Sequence, residues 1–219
     1  MTTYLITGTN RGLGKELCKQ AHSKGNKVIA VCRQSDQELE SLEISVETGV
    51  DITSEQDINS LLNRIQGVKL DVLINNAGIA ERKNLYNVDF DSIRKQFEVN
   101  AIGTLRLTYA LLPLMESNGK IAIITSRMGS INNNTSSGYY GYRISKVAVN
   151  MIGKCLSIDL KQRGISVAIL HPGLVSTRTT NFTGISPAES AKNLLARIDE
   201  LNLENTGTFW HAKGEVLSW

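Results

Sequence analysis

The amino-acid sequence predicts an α/β fold. It is read as one doubly wound domain over residues 1–219, a parallel sheet of about seven strands flanked by helices. Three observations carry this. Near-continuous apolar runs at Lys27 to Cys32, Leu70 to Ile74 and Ile121 to Ile124 suit strands covered on both faces. Helical stretches alternate with those runs, and several stop at glycine, as Leu13 to Lys24 stops at Gly25. A chain of 219 residues is long enough to bury one such sheet.

The totals exclude several classes. Hydrophobic residues make up 41% and charged residues 21%, a globular balance. A net charge of +3 is too small to argue for nucleic acid. No run of 18 apolar residues suggests a membrane span. Met1-Thr2-Thr3 leads straight into an apolar strand, so no leader is expected. Cys18, Cys32 and Cys155 sit at no metal-ligand spacing, so no metal is expected. They are read as reduced, buried thiols of a cytoplasmic protein.

In chain order, the first strand is Thr3 to Thr7. It runs into Gly8-Thr9-Asn10-Arg11-Gly12-Leu13-Gly14 and a helix. Strand, glycine turn and helix form a unit that lets a backbone approach a pyrophosphate at a helix N-terminus. The second strand ends in Cys32-Arg33, with no acidic residue to take a ribose 2′-hydroxyl. Arg11 and Arg33 are two guanidiniums suited to a 2′-phosphate, which predicts NADPH over NADH. A short helix and a weak strand near Glu43 to Thr48 follow. Thr53 or Ser54 then caps a helix running to about Ile65. Asp51 suits either a turn or the adenine amino group. Leu70 to Ile74 runs into Asn75-Asn76-Ala77-Gly78, a turn whose amides could line a cofactor.

A long helix is expected from about Phe90 to Glu116, with Asn100 as its unusual interior polar residue. Lys120 to Thr125 is the fifth strand, and Ser126 stands at its carboxyl end, where open parallel sheets bind ligands. A polar loop from Gly129 to Gly141 precedes a helix over Tyr142 to about Gln162. Ile165 to Leu170 is the sixth strand, ended by His171-Pro172-Gly173. Thr177 to Ser186 is read as a mobile polar loop. Ser186 and Pro187 open a helix to about Glu200, and Gly207 to Trp210 suits a last strand.

Tyr142 and Lys146 lie four apart, on one helix face. A neighbouring ammonium favours the phenolate, so such a tyrosine is expected to exchange protons with a carbonyl or alcohol near neutral pH.

Together, Thr7-Gly8-x-x-x-Gly12-x-Gly14, Asp51, Asn75-Asn76-Ala77-Gly78, Asn100, Ser126, Tyr142-x-x-x-Lys146 and Pro172-Gly173 resemble the classical short-chain dehydrogenase/reductase family, in the family's order. The short segment after Pro172-Gly173 and the ending Gly207-x-Phe209 through Gly214-x-x-Leu217-x-Trp219 look most like the C-factor and Sniffer-type carbonyl reductases.

The resemblance implies a Rossmann-type domain and an NADPH-dependent reduction of aldehydes or ketones. It makes Tyr142 the general acid and gives Ser126 the substrate oxygen to hold. Lys146 lowers the phenol pKa and binds the nicotinamide ribose, and Asn100 holds a relay water. Cofactor contacts are expected from Gly8, Asn10, Arg11, Gly12, Leu13, Gly14, Arg33, Asp51 and Ile52. Further contacts are expected from Asn76, Ala77 and Gly78 (Asn76 and Gly78 on the adenine-ribose side), Tyr142, Lys146, Pro172, Gly173, Val175 and Thr177. A homodimer through the helices around Phe90–Glu116 and Tyr142–Gln162 is also implied.

The Ser126–Tyr142 spacing is 16 positions, a few more than the family's commonest, and Ser130, 12 before Tyr142, is a rival. Ser126 is preferred because it directly ends the strand. Tyr139 and Tyr140 are read as lining the substrate mouth. The alternatives are a 3-oxoacyl-carrier-protein reductase and a C-factor-like cofactor-binding signalling protein with little turnover. A sugar-nucleotide epimerase shares the Tyr-x-x-x-Lys pair but not the glycine spacing.

Overall fold

The computed structural model describes every residue, Met1–Trp219. In chain order it runs β1 (Thr3–Thr7), α1 (Gly12–Ser23), β2 (Lys27–Val31), α2 (Gln37–Glu40) and β3 (Ser45–Glu47). It continues with α3 (Glu55–Arg64), β4 (Leu70–Asn75), α4 (Phe90–Phe97), α5 (Thr104–Leu111) and β5 (Met115–Ile124). It ends with α6 (Tyr140–Asp159), β6 (Ser166–His171), α7 (Pro187–Glu200) and β7 (Phe209–His211). The seven strands form one sheet, β3-β2-β1-β4-β5-β6-β7, and every ladder is parallel.

Alternation along each strand divides the core in two. Ile6, Ile74 and Leu170 face Leu17 of α1 and Leu194 of α7. Leu5, Leu73 and Ile123 face Leu61 of α3, Leu107 of α5 and Leu156 of α6. The successive residues Leu5 and Ile6 are both fully buried, as a strand covered on both faces requires. The edge strands β3 and β7 have three residues each, which limits unpaired backbone.

The progression of strands across the sheet reverses between β1 and β4, the point where open sheets of this kind hold ligands beyond the strands' carboxyl ends. The four stretches expected to be functional all follow the carboxyl ends of strands on this edge of the sheet: the glycine turn after β1, Asn75–Gly78 after β4, Ser126 after β5 and Pro172-Gly173 after β6.

Several expectations need correction. The helix expected over Phe90–Glu116 is not uniform. A π-helical segment, Glu98–Gly103, separates α4 from α5, and Pro113 closes the run in a 3-10 turn at Leu112–Leu114. Strand β5 starts at Met115, not Lys120, with a register shift between its first pair and the rest. The helix carrying Tyr142 starts two residues earlier, at Tyr140, and ends at Asp159. The Thr177–Ser186 stretch is tied down. Thr177 and Thr180 form a reciprocal cap around Arg178–Thr180, and Val175 bridges Ile185. Cys155 is exposed rather than buried, while Cys18 and Cys32 are buried as expected. No helix is long and apolar enough to cross a membrane.

Candidate active site

The glycine turn is shaped by contacts that exclude side chains. Gly8 has φ +69°, and a Cβ there would stand 2.8 Å from the Ala77 Cα. A Cβ on Gly14 would overlap the Gly8 carbonyl oxygen and stand 2.5 Å from Asn76 Nδ2. Asn76 locks the turn: its Nδ2 donates to the Thr7 carbonyl at 2.9 Å and the Gly8 carbonyl at 3.2 Å. The Thr7 hydroxyl accepts from the Asn76 and Ala77 amides, both at 3.0 Å. Both Nδ2 hydrogens of the amide expected to line an adenine-ribose pocket are thus engaged in the turn. Thr7, unassigned from sequence, is its anchor.

Helix α1 begins beyond this turn with no side-chain cap and no acidic residue in its first turn. Its first N–H groups are thus left free for an anion, and the residues fit a dinucleotide pyrophosphate. Thr177 approaches from the other side; its Cγ2 would lie 3.3 Å from a Cβ on Gly12.

At the end of β2, the Arg33 side chain is 70% exposed, and its Nη1 lies 3.9 Å from Asp51 Oδ2. Asp51 also accepts from the Thr53 amide and hydroxyl at 2.9 and 2.7 Å, and its carboxyl is held below its ordinary range. Burial works against that shift; the Thr53 bonds and Arg33 outweigh it. The carboxylates further on, Asp36 and Glu38, are paired with Lys15, and Glu38 with Lys19 as well. Arg33 is therefore left as the exposed cation at this strand end.

Asn100 sits in the π-helical segment, where the extra residue turns it inward. Its Oδ1 accepts from the Ile79 amide at 2.8 Å, and its Nδ2 donates to the Ile79 carbonyl at 2.8 Å and Ser145 Oγ at 2.9 Å. Ser145 in turn donates to the Tyr142 carbonyl at 2.8 Å. Asn100 thus ties the segment after β4 to the helix bearing Tyr142 and Lys146. Ser145 escaped the sequence reading although it lies inside the Tyr-x-x-x-Lys stretch.

Ser126 caps the short turn Arg127–Gly129, accepting from the Met128 amide at 3.1 Å, and its hydroxyl acts on the Tyr142 phenol, favouring the phenolate. Ser130 is 1% exposed and accepts from the Asn133 amide at 3.1 Å. Of the two rivals, Ser126 is the one that acts on the Tyr142 phenol. Asn150 braces this turn: it accepts from the Thr125 hydroxyl at 2.6 Å and donates to the Gly129 carbonyl at 3.1 Å.

The Lys146 ammonium lies 5.7 Å from the Tyr142 ring centre and donates to the Ile124 carbonyl at 2.9 Å. Burial pushes this lysine down to about 8. Burial also raises the Tyr142 phenol, against the Ser126 hydrogen bond. Loss of hydration dominates both groups here, so the net shift of the phenol is upward.

A lysine whose folded pKa lies below its unfolded value of about 10.5 binds fewer protons folded than unfolded between pH 8 and 10.5. Stability must then rise with pH across that window. Urea unfolding of wild type and Lys146→Met should show their difference shifting in favour of wild type between pH 7.5 and 9.5. A constant difference would mean the ammonium is not desolvated.

The sequence profile of the family described as short chain dehydrogenase matches residues 2–186. The chain belongs to this family. Within the short-chain dehydrogenases it is 41% identical to 1-hydroxy-2-glutathionyl-2-methyl-3-butene dehydrogenase of Rhodococcus sp. (strain AD45), over the full length of both chains. It is 40% identical to C-signal of Myxococcus xanthus, over 68% of this chain and 93% of that one. Among solved structures it superposes on carbonyl reductase Sniffer of D. melanogaster with TM-score 0.89 and 28% identity, covering all of both chains. An NADPH-bound carbonyl reductase from chicken fatty liver gives TM-score 0.90 and 27% identity, over 100% of this chain and 99% of that one. The chain is thus an oxidoreductase of the short-chain dehydrogenase family, with the fold of the carbonyl reductases.

Proposed function

We propose that this short-chain dehydrogenase is an NADPH-dependent reductase of aldehyde or ketone carbonyls. The observation that carries the reading is the convergence of Ser126, Tyr142 and Lys146, tied through Asn100 and Ser145, beside the glycine turn. NADPH supplies the hydride when bound. Gly8, Gly12 and Gly14 cradle its pyrophosphate, and Arg33, with Arg11, takes the 2′-phosphate. Thr177, Val175 and Pro172-Gly173 close the nicotinamide side.

The chain's own groups then orient and protonate. Ser126 holds the substrate oxygen. Tyr142 gives it a proton, a contribution of about 10²–10⁴-fold. Lys146 binds ribose hydroxyls and supports the returning phenol. A phenol raised by burial holds its proton through neutral pH, which suits an acid.

A second reading is favoured by the Rhodococcus relative, whose name describes an alcohol joined to glutathione. The same residues, run in reverse with Tyr142 as base, oxidise such an alcohol.

The experiment is consumption of NADPH and NADH against a panel of reactive aldehydes and ketones, with NADP⁺-coupled oxidation of glutathione-conjugated alcohols alongside. Tyr142→Phe, Ser126→Ala and Ser130→Ala serve as controls. Turnover should require Tyr142 and suffer more from Ser126→Ala than from Ser130→Ala. NADPH should be preferred by at least about tenfold in kcat/KM, the worth of one charge-assisted contact, and Arg33→Asp should erase that preference. Equal use of both nucleotides would overturn the assignment of Arg33. Tight nucleotide binding with no turnover on any substrate would point to a sensor like the C-signal reading.

A further inference from the structure

Beyond Ser126, the carboxyl ends of β5, β6 and β7 place Arg127, His171 and His211 in a row. His171 pairs with His211 in the sheet register, and their rings meet edge to face at 5.0 Å. Arg127 stands close enough to discourage protonation of both imidazoles, and burial contributes more. Arg127 itself is exposed, and its side chain makes no hydrogen bond or ion pair within the chain. The buried Nδ1 of His171 also has no partner. His211 Nδ1 accepts from the Lys213 amide at 3.0 Å, so its proton sits on Nε2, a free donor toward Gly173. Beside it lies a cavity of about 330 Å³ lined by Gly173, Leu174, Ile185, His211, Lys213 and Glu215. Lys213 and Glu215 carry opposite charges there.

The loops around this mouth share one bias. Residues 126–143 and 173–186 contain Arg127, Arg143 and Arg178 and no aspartate or glutamate. Arg143 is tied to the Gly138 carbonyl at 3.1 Å and Ser136 at 2.7 Å. That leaves Arg127 and Arg178 exposed and without a side-chain partner, and Arg127 is the one that directly follows the serine assigned to the reacting oxygen.

We propose that Arg127 is a specificity-determining anchor for a carboxylate on the substrate, with His211 Nε2–H as a second donor. The preferred substrates are then carbonyl compounds, or the corresponding alcohols, that carry a carboxylate on a flexible arm. A planar guanidinium matches a carboxylate bidentately, and the two acid-free loops, 126–143 and 173–186, outweigh the single Glu215 carboxylate in steering it in. The proposal rests on the reductase reading for the identity of the reacting group.

The test compares 6-oxohexanoate with its methyl ester, and adds calorimetric binding of 6-hydroxyhexanoate to the NADPH-loaded protein, which needs no turnover. Wild type should prefer the acid over the ester by about tenfold or more in kcat/KM. Arg127→Met should collapse that ratio through KM and weaken 6-hydroxyhexanoate about tenfold. Arg127→Lys, which keeps the charge, should retain part of both. Equal handling of acid and ester by wild type, or an unchanged ratio in Arg127→Met, overturns the anchor and leaves the reductase reading standing. Absence of turnover on the acid, the ester and the whole carbonyl panel, with Arg127-dependent binding of 6-hydroxyhexanoate, overturns the reductase reading and keeps the anchor. Absence of both overturns both.

Discussion

Replacing Tyr142 by phenylalanine should lower kcat by about 10²–10⁴-fold while leaving NADPH affinity unchanged. The variant deletes one oxygen and keeps the ring that packs near the Lys146 ammonium. Ser126, Lys146 and Asn100 keep their other partners: the Met128 amide, the Ile124 carbonyl and the Ile79 backbone. Loss of turnover would then report the missing proton donor and not a disturbed cradle. Single-turnover kinetics with saturating NADPH separate the two, since only chemistry should slow. Undiminished turnover would remove Tyr142 from the reaction. A matching loss of NADPH binding would make it a structural residue.

Gly14→Ala should be the most damaging single methyl in the nucleotide cradle. The added Cβ would collide with the Gly8 carbonyl oxygen, a backbone atom that cannot swing away, and would press on Asn76 Nδ2. That amide holds both the Thr7 and Gly8 carbonyls, so relief at one contact breaks the others. Overpacking of this kind costs roughly 1–3 kcal/mol. The distortion falls on the turn expected to meet pyrophosphate. Fluorescence titration should show NADPH affinity down by about 10–100-fold, the equivalent of that cost, together with a lower Tm. A Gly14→Ala protein that binds NADPH as tightly as wild type would place the nucleotide elsewhere.

Much of this arrangement is legible in the chain because it depends on local chemistry. A glycine turn between strand and helix, Tyr142 four before Lys146, and alternating apolar segments need no long-range information. Other features depend on what folding brings together. Asn76 reads as a cofactor-facing amide until Thr7 and Gly8 arrive beside it, 69 and 68 positions earlier in the chain. The π-helical segment is only hinted at by Asn100 and Gly103, poor helix formers in an otherwise helical stretch, because neither says where an extra residue enters the turn. The phenol and ammonium look mutually supportive by spacing, but burial decides their protonation. Cys155 carries the residue type of a core position, yet it lies on the outer face of its helix. His171 and His211 meet only because β6 and β7 are neighbours.

The lock that Asn76 makes on the glycine turn has a consequence for the life of the chain in the cell. Those contacts join the first strand to a segment more than sixty residues later, so an unfolded chain, or one whose synthesis has not passed Asn76, has no cradle. A nucleotide that recognises the cradle recognises only the finished fold. At a free concentration 100 times its Kd it would deepen the folded basin by about 2.7 kcal/mol. Cellular nucleotide supply would thereby set how much of this protein survives proteolysis, and not only how fast it works.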